Sequence, residues 1–436
     1  MEVPASTNHD EKSTFTVLVT GANSGLGFAL CCRLIDEFLF TRPQSQTLHL
    51  LFSTRDSKKS SSTLTLLNAH LQKTLREANG KTLGISRLLE PRIKLEGVLV
   101  DLLKLSTVKA LAEQLLRRNE KLDAVVWNAG IAGWSGLSWG KAVWNVCTDL
   151  VHATTWPKYM VCDVGLRAKP QISPSSSERK GHDEEPVLGQ VFLANVFGHY
   201  MLTHWLSPLF DSDTRIIWMS SISASAHTFS LEDLQGLRAE MSYESSKRLT
   251  DFLVLTSELN STKPYINTFI PAKEKKRAKM FVVHPGVCGT AIAGLNWFIG
   301  LFMIASFYLA RWLGSPWHPV EPYKGAVSAA FTVLSTQIPE MEETEGKGKW
   351  GSSTGVFGDE RVARTEVDGW GYCGQVGKVP KGSVTTGLYR GRKDLTKEDR
   401  EEFEVVGRQV WSQMEELRIE WERRLGPVSQ ESSVDV

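Results

Sequence analysis

Net charge, cysteine and long apolar runs are all scarce in this sequence of 436 residues. With 50 basic and 49 acidic residues its formal net charge is +1, so no overall field favours nucleic acid or an anionic surface as a partner. The six cysteines form no Cys-x-x-Cys pair and lack the density of a disulfide-stapled secreted fold. We therefore expect one globular domain with insertions, reduced and mostly buried thiols, no nucleic-acid binding and no metal site.

The most apolar stretch, LNWFIGLFMIASFYLA at residues 295–310, has sixteen residues without a formal charge, short of the ~20 that a membrane span needs. Two interpretations stay open. The stretch is either a buried helix over a substrate pocket or an element that dips into one bilayer face, with Trp297, Trp312 and Trp317 near the interface. The N-terminal MEVPASTNHDEKST is too polar and acidic for a secretory signal, which predicts a start in the cytosol.

Short apolar or β-branched runs alternate with amphipathic stretches over the first two thirds of the chain. The runs predict six buried strands at residues 16–19, 48–53, 98–100, 122–127, 215–219 and 280–284, and residues 28–40 have helical spacing. Strands that alternate with helices imply an α/β fold, a doubly wound parallel sheet of the Rossmann type with helices on both faces. The ligand crevice of such a sheet lies at the carboxyl ends of its strands.

The remaining segments are less regular. We predict a cofactor-binding domain at residues 14–292 and an extension at 293–436. Within them we expect an insertion at 134–190 whose polar, Ser-rich end (169–185) is a mobile loop, a second insertion at 263–279 with a basic run from Lys273 to Lys279, a helix at 322–335, glycine-rich loops at 341–392 and an exposed closing helix at 397–425.

A glycine-rich loop joins the first predicted strand to the first helix. In Gly21-Ala22-Asn23-Ser24-Gly25-Leu26-Gly27 the glycines allow a tight turn and a close approach to a pyrophosphate, and the helix start offers unpaired N–H groups. A strand before the loop and a helix after it are the context that a dinucleotide site requires. The sequence therefore predicts that this loop binds the phosphates of a nicotinamide cofactor.

The ends of the next strands carry further candidates for cofactor contacts. Arg55 ends the second strand, where a basic residue pairs with a ribose 2′-phosphate, and this favours NADPH although Asp56 follows it. Asp101 ends the third strand and either caps its helix or accepts from the adenine amino group. Asn128, which opens Asn-Ala-Gly after the fourth strand, lies where the backbone passes close to the cofactor.

Tyr243 and Lys247, in Ser-Tyr-Glu-Ser-Ser-Lys, are the strongest catalytic candidates. If residues 243–258 are helical, a spacing of four places the phenol and the ammonium on one face. An unperturbed tyrosine ionises near pH ~10, so a neighbouring cation that lowers its pKa makes it a better proton relay. With the glycine loop upstream, this pair predicts the reduction of a carbonyl group.

The motifs TGANSGLG, NAG, NVFGHY, SYESSK and HPGV, over residues 14 to about 292, resemble the short-chain dehydrogenase/reductase superfamily. Among its branches the chain is most similar to the 3-keto-steroid reductases of sterol biosynthesis, through IIWMSSISAS, FSLEDLQG, SYESSKRLTDFL and the later apolar stretch. The resemblance implies that Tyr243 protonates the carbonyl oxygen and that Lys247 lowers its pKa and holds the nicotinamide ribose. It also implies that Asn195 anchors a water, and that Pro285, Val287 and Thr290 lie at the nicotinamide end.

The position of the catalytic serine departs from the family pattern. The superfamily serine usually precedes the tyrosine by about thirteen residues, but Ser221 stands 22 before Tyr243, and Ser230 stands at thirteen. We favour Ser221, because a hydroxyl at the carboxyl edge of the sheet can hydrogen-bond the substrate oxygen. The segment FSLEDLQG then becomes an inserted loop, and Ser230 remains the alternative.

The resemblance implies a complete function. It is the NADPH-dependent reduction of the C3 ketone of a sterol intermediate to the 3β-alcohol during C4 demethylation in ergosterol-type synthesis. The expected place is the cytosolic face of the endoplasmic reticulum membrane or a lipid droplet, beside the other enzymes of C4 demethylation. Two alternatives stay open, namely a reductase of another lipophilic carbonyl such as retinal and a non-catalytic scaffold in a sterol-synthesis complex.

Overall fold

The computed structural model describes residues 13–172, 185–273, 276–290, 297–377 and 394–428. Several predicted segments fall partly outside these ranges. They are the polar N-terminus, residues 173–184 of the Ser-rich stretch, residues 274–275 of the basic run, the first two residues of the apolar stretch at 295–310, and the end of the glycine-rich region from residue 378.

The sheet is almost entirely parallel. Its strands lie in the order β10-β9-β8-β7-β4-β1-β2-β3, and within the described residues only β10 is antiparallel to its neighbour. The order of β3 to β8 reverses at the β1–β4 pair, the switch point at which a doubly wound sheet binds its ligand. The strands of this sheet are β1 (Thr14–Val19), β2 (Thr47–Thr54), β3 (Ile93–Leu99), β4 (Ala124–Trp127), β7 (Arg215–Met219), β8 (Lys279–His284), β9 (Lys349–Thr354) and β10 (Glu360–Thr365).

All six strands that the sequence predicts are present, and the predicted fold class is confirmed. Their apolar runs are continuous because both faces of the sheet are covered, as a parallel sheet requires. In β1, Leu18 packs into one core cluster whereas Val17 and Val19 pack into the other. The alternation of side chains along a strand therefore builds two cores from one run.

Helices cover both faces. Helices α4, α8, α9 and α15 pack on the face of Leu18, and α1, α2 and α13 pack on the face of Val17. The helices are α1 (Gly25–Thr41), α2 (Ser57–Lys81), α3 (Ser86–Leu89), α4 (Leu105–Arg118), α5 (Trp139–Thr148), α6 (Leu150–Thr155), α7 (Gln190–Phe192), α8 (Gly198–Leu206), α9 (Ser242–Leu255), α10 (Lys263–Phe269), α11 (Trp297–Trp312), α12 (Pro322–Gly325), α13 (Val327–Leu334), α14 (Ile338–Glu345) and α15 (Lys397–Leu425), with a π-helical turn at Leu193–Phe197.

The prediction of glycine-rich loops throughout residues 341–392 is wrong. Strands β9 and β10 lie in this region and extend the sheet beyond β8. Their sequences, KWGSST and ERVART, lack the apolar run of a buried strand. Within β9 the buried Lys349 pairs with Asp251, and the Ser352 hydroxyl donates to Ser328 Oγ. The division at residues 292 and 293 stays a prediction, but two strands of the extension belong to the same sheet as the first range.

The closing helix has the predicted bounds, Lys397–Leu425, but its exposure is only partial. One face is buried, and there Trp411 packs against Tyr200 and Phe269, with ring centroids 5.9 and 5.4 Å away. Glu415 accepts a hydrogen bond from the Tyr200 hydroxyl at 2.7 Å. Because most other positions of the helix are charged, the sequence pattern does not reveal this buried face.

The insertion at 134–190 and the apolar stretch lie together beyond the carboxyl edge of the sheet. The insertion contains a two-stranded antiparallel sheet, β5 (Trp134–Leu137) with β6 (Met160–Cys162), which the sequence does not predict. Both α5 of the insertion and α11 of the apolar stretch contact α6. Among the described residues no helix is both long enough and apolar enough to cross a membrane.

Candidate active site

One cavity of about 930 Å³ runs along the carboxyl ends of the strands. It extends from the glycine loop, past helix α9, to the insertion and α11. Asn195 and Ser230 are the two predicted site residues that do not line it. Those that line it are Gly21, Asn23, Ser24, Gly25, Leu26, Gly27, Arg55, Asp101, Asn128, Ser221, Tyr243, Lys247, Pro285, Val287 and Thr290.

The glycine loop has the geometry of a phosphate cradle. Gly21 and Gly25 adopt φ of 70° and 55°, values that favour glycine. A side chain at Gly27 would collide with the Gly21 carbonyl oxygen and the Asn128 amide, which itself donates to the Thr20 carbonyl at 2.9 Å. The N-terminus of α1 receives no side-chain cap from Ser24, and its first residues line the cavity. These residues fit the pyrophosphate of a dinucleotide.

The two residues after β2 have separate roles. The carboxylate of Asp56 accepts a hydrogen bond from Lys59 N at 2.8 Å and caps helix α2. Arg55 is exposed and lines the cavity. Because the capping bond engages the carboxylate of Asp56, the guanidinium of Arg55 is the stronger candidate for a contact with the cofactor ribose.

Asp101 and Asn128 also occupy their expected places at the edge. The Asp101 Oδ1 accepts from Leu103 N at 3.2 Å, within the turn that precedes α4, so this side chain stabilises the turn and also lines the cavity. Helix α4 itself begins at Leu105, with Lys104 as its N-cap. Whether Asp101 binds adenine stays a prediction.

Helix α9 places the two catalytic candidates one turn apart. The ammonium of Lys247 lies 5.5 Å from the centroid of the Tyr243 ring and donates to the Met219 carbonyl at 2.8 Å. Ser221 follows the end of β7 and makes a side-chain hydrogen bond with Tyr243. The Ser221 Oγ is also 2.9 Å from Ser223 Oγ. The site therefore joins a phenol, a hydroxyl and an ammonium.

The alternative serine lies elsewhere. Ser230 is exposed, and its carbonyl accepts from Asp233 N in a short helical turn between β7 and α9. Ser230 therefore stands thirteen residues before Tyr243 only because it lies within the inserted loop. The geometry favours Ser221.

Burial controls the protonation of the pair. Burial raises the pKa of Tyr243 above its ordinary value, the neighbouring Glu244 raises it further, and the hydrogen bond with Ser221 opposes both. The expectation that Lys247 lowers the pKa of Tyr243 stays a prediction. The pKa of Lys247 is itself lowered to about 8 by burial and by the charge of Lys349, and its ammonium is engaged with a backbone carbonyl. At neutral pH Tyr243 keeps its proton.

Asn195 supports the site from behind. It lies in the π-helical turn, a feature that often marks functional positions. Its Oδ1 accepts from Ile131 N at 2.7 Å, and its Nδ2 donates to the Ile131 carbonyl and to Ser246 Oγ, both at 3.0 Å. These contacts tie the strand-end loop after Asn128 to helix α9. The water that the resemblance assigns to Asn195 stays a prediction.

Sequence reasoning missed Glu244. Its side chain is 1% exposed and lines the cavity, and neither carboxylate oxygen has a hydrogen-bond partner among the described side chains and backbone. Burial raises its pKa to about 7. An acidic residue directly after the candidate catalytic tyrosine gives no signal in the sequence, because glutamate in a first helical turn is ordinary.

The far part of the cavity is apolar. Its walls come from the insertion and from α11, which confirms that these two segments lie beside one pocket. The apolar lining residues are Trp134, Leu137, Trp139, Val143, Val146, Ile222, Ile299, Phe302, Met303 and Phe307. In the part of the chain that the structure describes, no cluster of three or more His, Cys, Asp or Glu side chains is placed to hold a metal ion.

No family model matches the chain, but its sequence is similar to those of curated proteins. The 3-keto-steroid reductase of Aspergillus fumigatus is 42% identical over 435 residues, which cover 94% of both chains. The 3-keto-steroid reductase of Gibberella zeae is 36% identical, again over 94% of each. A solved short-chain type dehydrogenase/reductase from Mycobacterium ulcerans matches 74% of this chain and 84% of its own at 14% identity, with a TM-score of 0.40.

The buried carboxyl of Glu244 predicts a pH-dependent cost in stability. Because the folded pKa is about 7 against an ordinary 4.5, the protonated form is favoured in the folded state, and stability falls as pH rises from 4.5 through 7. Glu244→Gln removes this cost, so it should raise the free energy of unfolding by about 2–4 kcal/mol at pH 8 and leave it nearly unchanged at pH 4.5. Urea unfolding at the two pH values measures the difference. The exposed Glu240→Gln is the control, and equal pH dependence in all three proteins would contradict the assignment.

Proposed function

The chain belongs to the 3-keto-steroid reductases, a branch of the short-chain dehydrogenases/reductases, and from this premise we propose that it reduces the C3 ketone of a sterol intermediate with NADPH. The product is the 3β-alcohol, formed during C4 demethylation in ergosterol-type synthesis. One observation carries the proposal: a single cavity joins the dinucleotide loop, the Ser221–Tyr243–Lys247 group and an apolar chamber.

The apolar chamber suits a sterol, which is a rigid hydrocarbon body with one polar group. Burial of the body against the aromatic and aliphatic walls supplies binding energy, and a few polar groups at one end fix the orientation. Tyr243 and Ser221 lie at the junction between the chamber and the cofactor loop. The ketone oxygen therefore meets the Tyr243 and Ser221 hydroxyls at the end of the cavity where the cofactor binds.

The residues divide the proton chemistry between them. When bound, the reduced nicotinamide supplies the hydride that attacks C3. Tyr243 retains its proton at neutral pH and gives it to the oxygen as negative charge develops there. The Ser221 hydroxyl, next to that phenol, turns its single proton to the same oxygen when the substrate is bound. The charge of Lys247 stabilises the phenolate that remains, and Gly21 to Gly27 hold the phosphates.

Tyr243→Phe tests the reaction. Removal of the proton donor should lower kcat on a 4-methyl-3-ketosterol by about 10²- to 10⁴-fold with little change in NADPH affinity. Loss of the nicotinamide absorbance measures turnover by the purified protein. Tyr265→Phe, on helix α10 away from the cavity, is the matched control and should resemble the wild type.

The same assay decides between the alternatives. Faster turnover of retinal than of the ketosterol by the wild type would favour a different lipophilic carbonyl as the substrate. No sterol reduction by either the purified wild type or Tyr243→Phe, together with growth of the Tyr243→Phe strain that needs no added sterol, would favour the non-catalytic scaffold.

Arg55 supports NADPH as the cofactor. Its guanidinium lines the cavity at the end of β2, where it can make charge-assisted hydrogen bonds with a 2′-phosphate. Arg55→Asp should therefore shift the ratio of kcat/KM for NADPH over NADH towards NADH by on the order of 10- to 100-fold. Lys58→Asp makes the same charge change nearby, on an exposed residue outside the cavity, and should leave the ratio within about 2-fold. A wild type that prefers NADH would refute the role of Arg55.

We include in the proposal a location at the cytosolic face of the endoplasmic reticulum membrane or at a lipid droplet. Exposed apolar side chains of α5 and α11 support it, because both helices also line the apolar chamber, and a sterol could pass between lipid and cavity there. The exposed side chains are Trp139, Val143, Trp144, Trp297, Leu301, Phe302, Ile304, Leu309 and Trp312. Association with other enzymes of C4 demethylation follows from the proposed pathway step, and co-purification from native membranes tests it.

Liposome flotation tests the membrane contact. The wild type should float with vesicles of phosphatidylcholine, phosphatidylethanolamine and phosphatidylinositol. Leu301→Glu/Leu309→Glu should lower the bound fraction by about 10-fold or more, because each charge would have to leave water at the surface. Leu83→Glu/Leu88→Glu changes two even more exposed leucines on another part of the surface and should float normally. Equal flotation of both double variants would contradict this location.

A further inference from the structure

Three charged side chains are buried together behind the catalytic group. Lys247 and Asp251 lie one turn apart on helix α9, and Lys349 is the first residue of strand β9. Their exposed fractions are 4%, 0% and 2%. Charged groups are seldom buried this completely unless they are paired and hydrogen-bonded.

The pairing in this cluster is specific. The Lys349 ammonium lies 2.8 Å from Asp251 Oδ2, and it donates to the Ser221 carbonyl at 2.7 Å. The other oxygen of Asp251 accepts from Ser220 Oγ at 2.6 Å. The ion pair therefore holds two consecutive residues at the end of β7, one through its backbone and one through its side chain.

Stability alone gives a weak reason for such a pair. Replacing a buried ion pair with well-packed apolar residues is often neutral or stabilising, because desolvation cancels much of the Coulomb attraction. A pair that instead fixes the backbone of the predicted catalytic serine has a functional reason to be polar. A misplacement of about 1 Å at a reacting group can cost on the order of 100-fold in rate.

We propose that the Lys349–Asp251 pair is a positioning device for the active site, which holds the Ser221 peptide at the end of β7 and sets the electrostatic field behind Lys247. The proposal rests on the reductase function proposed above and deepens it. It makes the C-terminal extension part of the catalytic apparatus through a residue that touches neither substrate nor cofactor.

The charges near Lys247 determine the sign of the electrostatic effect. Tyr243 and Asp251 lie on its own helix, His199 faces it from α8, and Lys349 faces it from β9. Burial lowers the pKa of His199 to about 3, and it lowers the pKa of His284, beside Lys349 on β8, well below the ordinary value, so both imidazoles are neutral. Lys349 lowers the pKa of Lys247 and Asp251 raises it.

The two single variants should therefore have opposite effects. Lys349→Met removes a repelling charge, so the alkaline limb of the kcat/KM profile, which reports groups of the free enzyme, should move up by roughly half to one pH unit. Asp251→Asn removes an attracting charge and should move the limb down. Both variants should lower kcat by about 10-fold or more, with the KM for NADPH within about 2-fold.

The matched control is Lys347→Met. Lys347 lies two residues before Lys349, is 8% exposed and pairs with Glu258. It does not line the cavity, and its ammonium bonds to Glu258 and not to Ser220 or Ser221 after β7. Its loss should lower the thermal midpoint without moving the alkaline limb. Shifts of both test variants in the same direction, or no shift in folded variants, would overturn the proposal.

A double variant covers the case in which a single variant does not fold. Lys349→Met/Asp251→Asn removes both members of the ion pair, so neither is left buried alone. It should fold, keep the wild-type alkaline limb and still have a lowered kcat, because the Ser221 carbonyl has lost its donor. A wild-type kcat in the folded double variant would refute the positioning role. If the wild type turned over no ketosterol, the proposed function would fail on its own. The pH dependence of NADPH affinity, measured by the fluorescence of the bound cofactor, would then show whether the opposite shifts occur.

Discussion

The parallel direction of the strands is the constraint on which the site depends. A parallel sheet is covered by helices on both faces, so its strand ends are the part left open to a ligand. Each strand of the classical order delivers one loop to the same edge. The loops after β1, β2, β3, β4, β7 and β8 carry Gly21, Arg55, Asp101, Asn128, Ser221 and Pro285 respectively. Residues that are far apart in sequence therefore share one cavity.

Burial of the site residues away from water is the second feature that sets the chemistry of the site. For Tyr243, Glu244 and Lys247 the largest cause of the pKa shift is burial, and in each case it favours the neutral form. Local contacts then adjust individual groups, as the hydrogen bond with Ser221 does for the phenol. A dry site of this kind strengthens every remaining electrostatic interaction, and it suits a substrate whose only polar atom is a ketone oxygen.

The sequence predicts the first part of the fold well, because each buried parallel strand is a short apolar run and the glycine-rich loop directly follows the first of these runs. The six strands, the nucleotide loop and the pair on α9 all have this local signal. Strand β9 has no such signal. Lys349 is hydrophilic in isolation and becomes a buried strand residue only because Asp251, about a hundred positions earlier, meets it in three dimensions. Glu244 was missed for a similar reason, since burial is a property of the assembled cavity.

Strand β9 comes late in the chain, although its first residue, Lys349, pairs with Asp251 of helix α9. Translation proceeds at about 5–20 residues per second, so Lys349 is made on the order of 5–20 s after Asp251. During that interval Asp251 of the nascent domain lacks its ion-pair partner, and the Ser221 carbonyl lacks the hydrogen bond from Lys349. The active site is therefore completed by one of the last strands to leave the ribosome. A polypeptide that terminates before Lys349 lacks the Lys349–Asp251 pair, even if its nucleotide-binding half has folded.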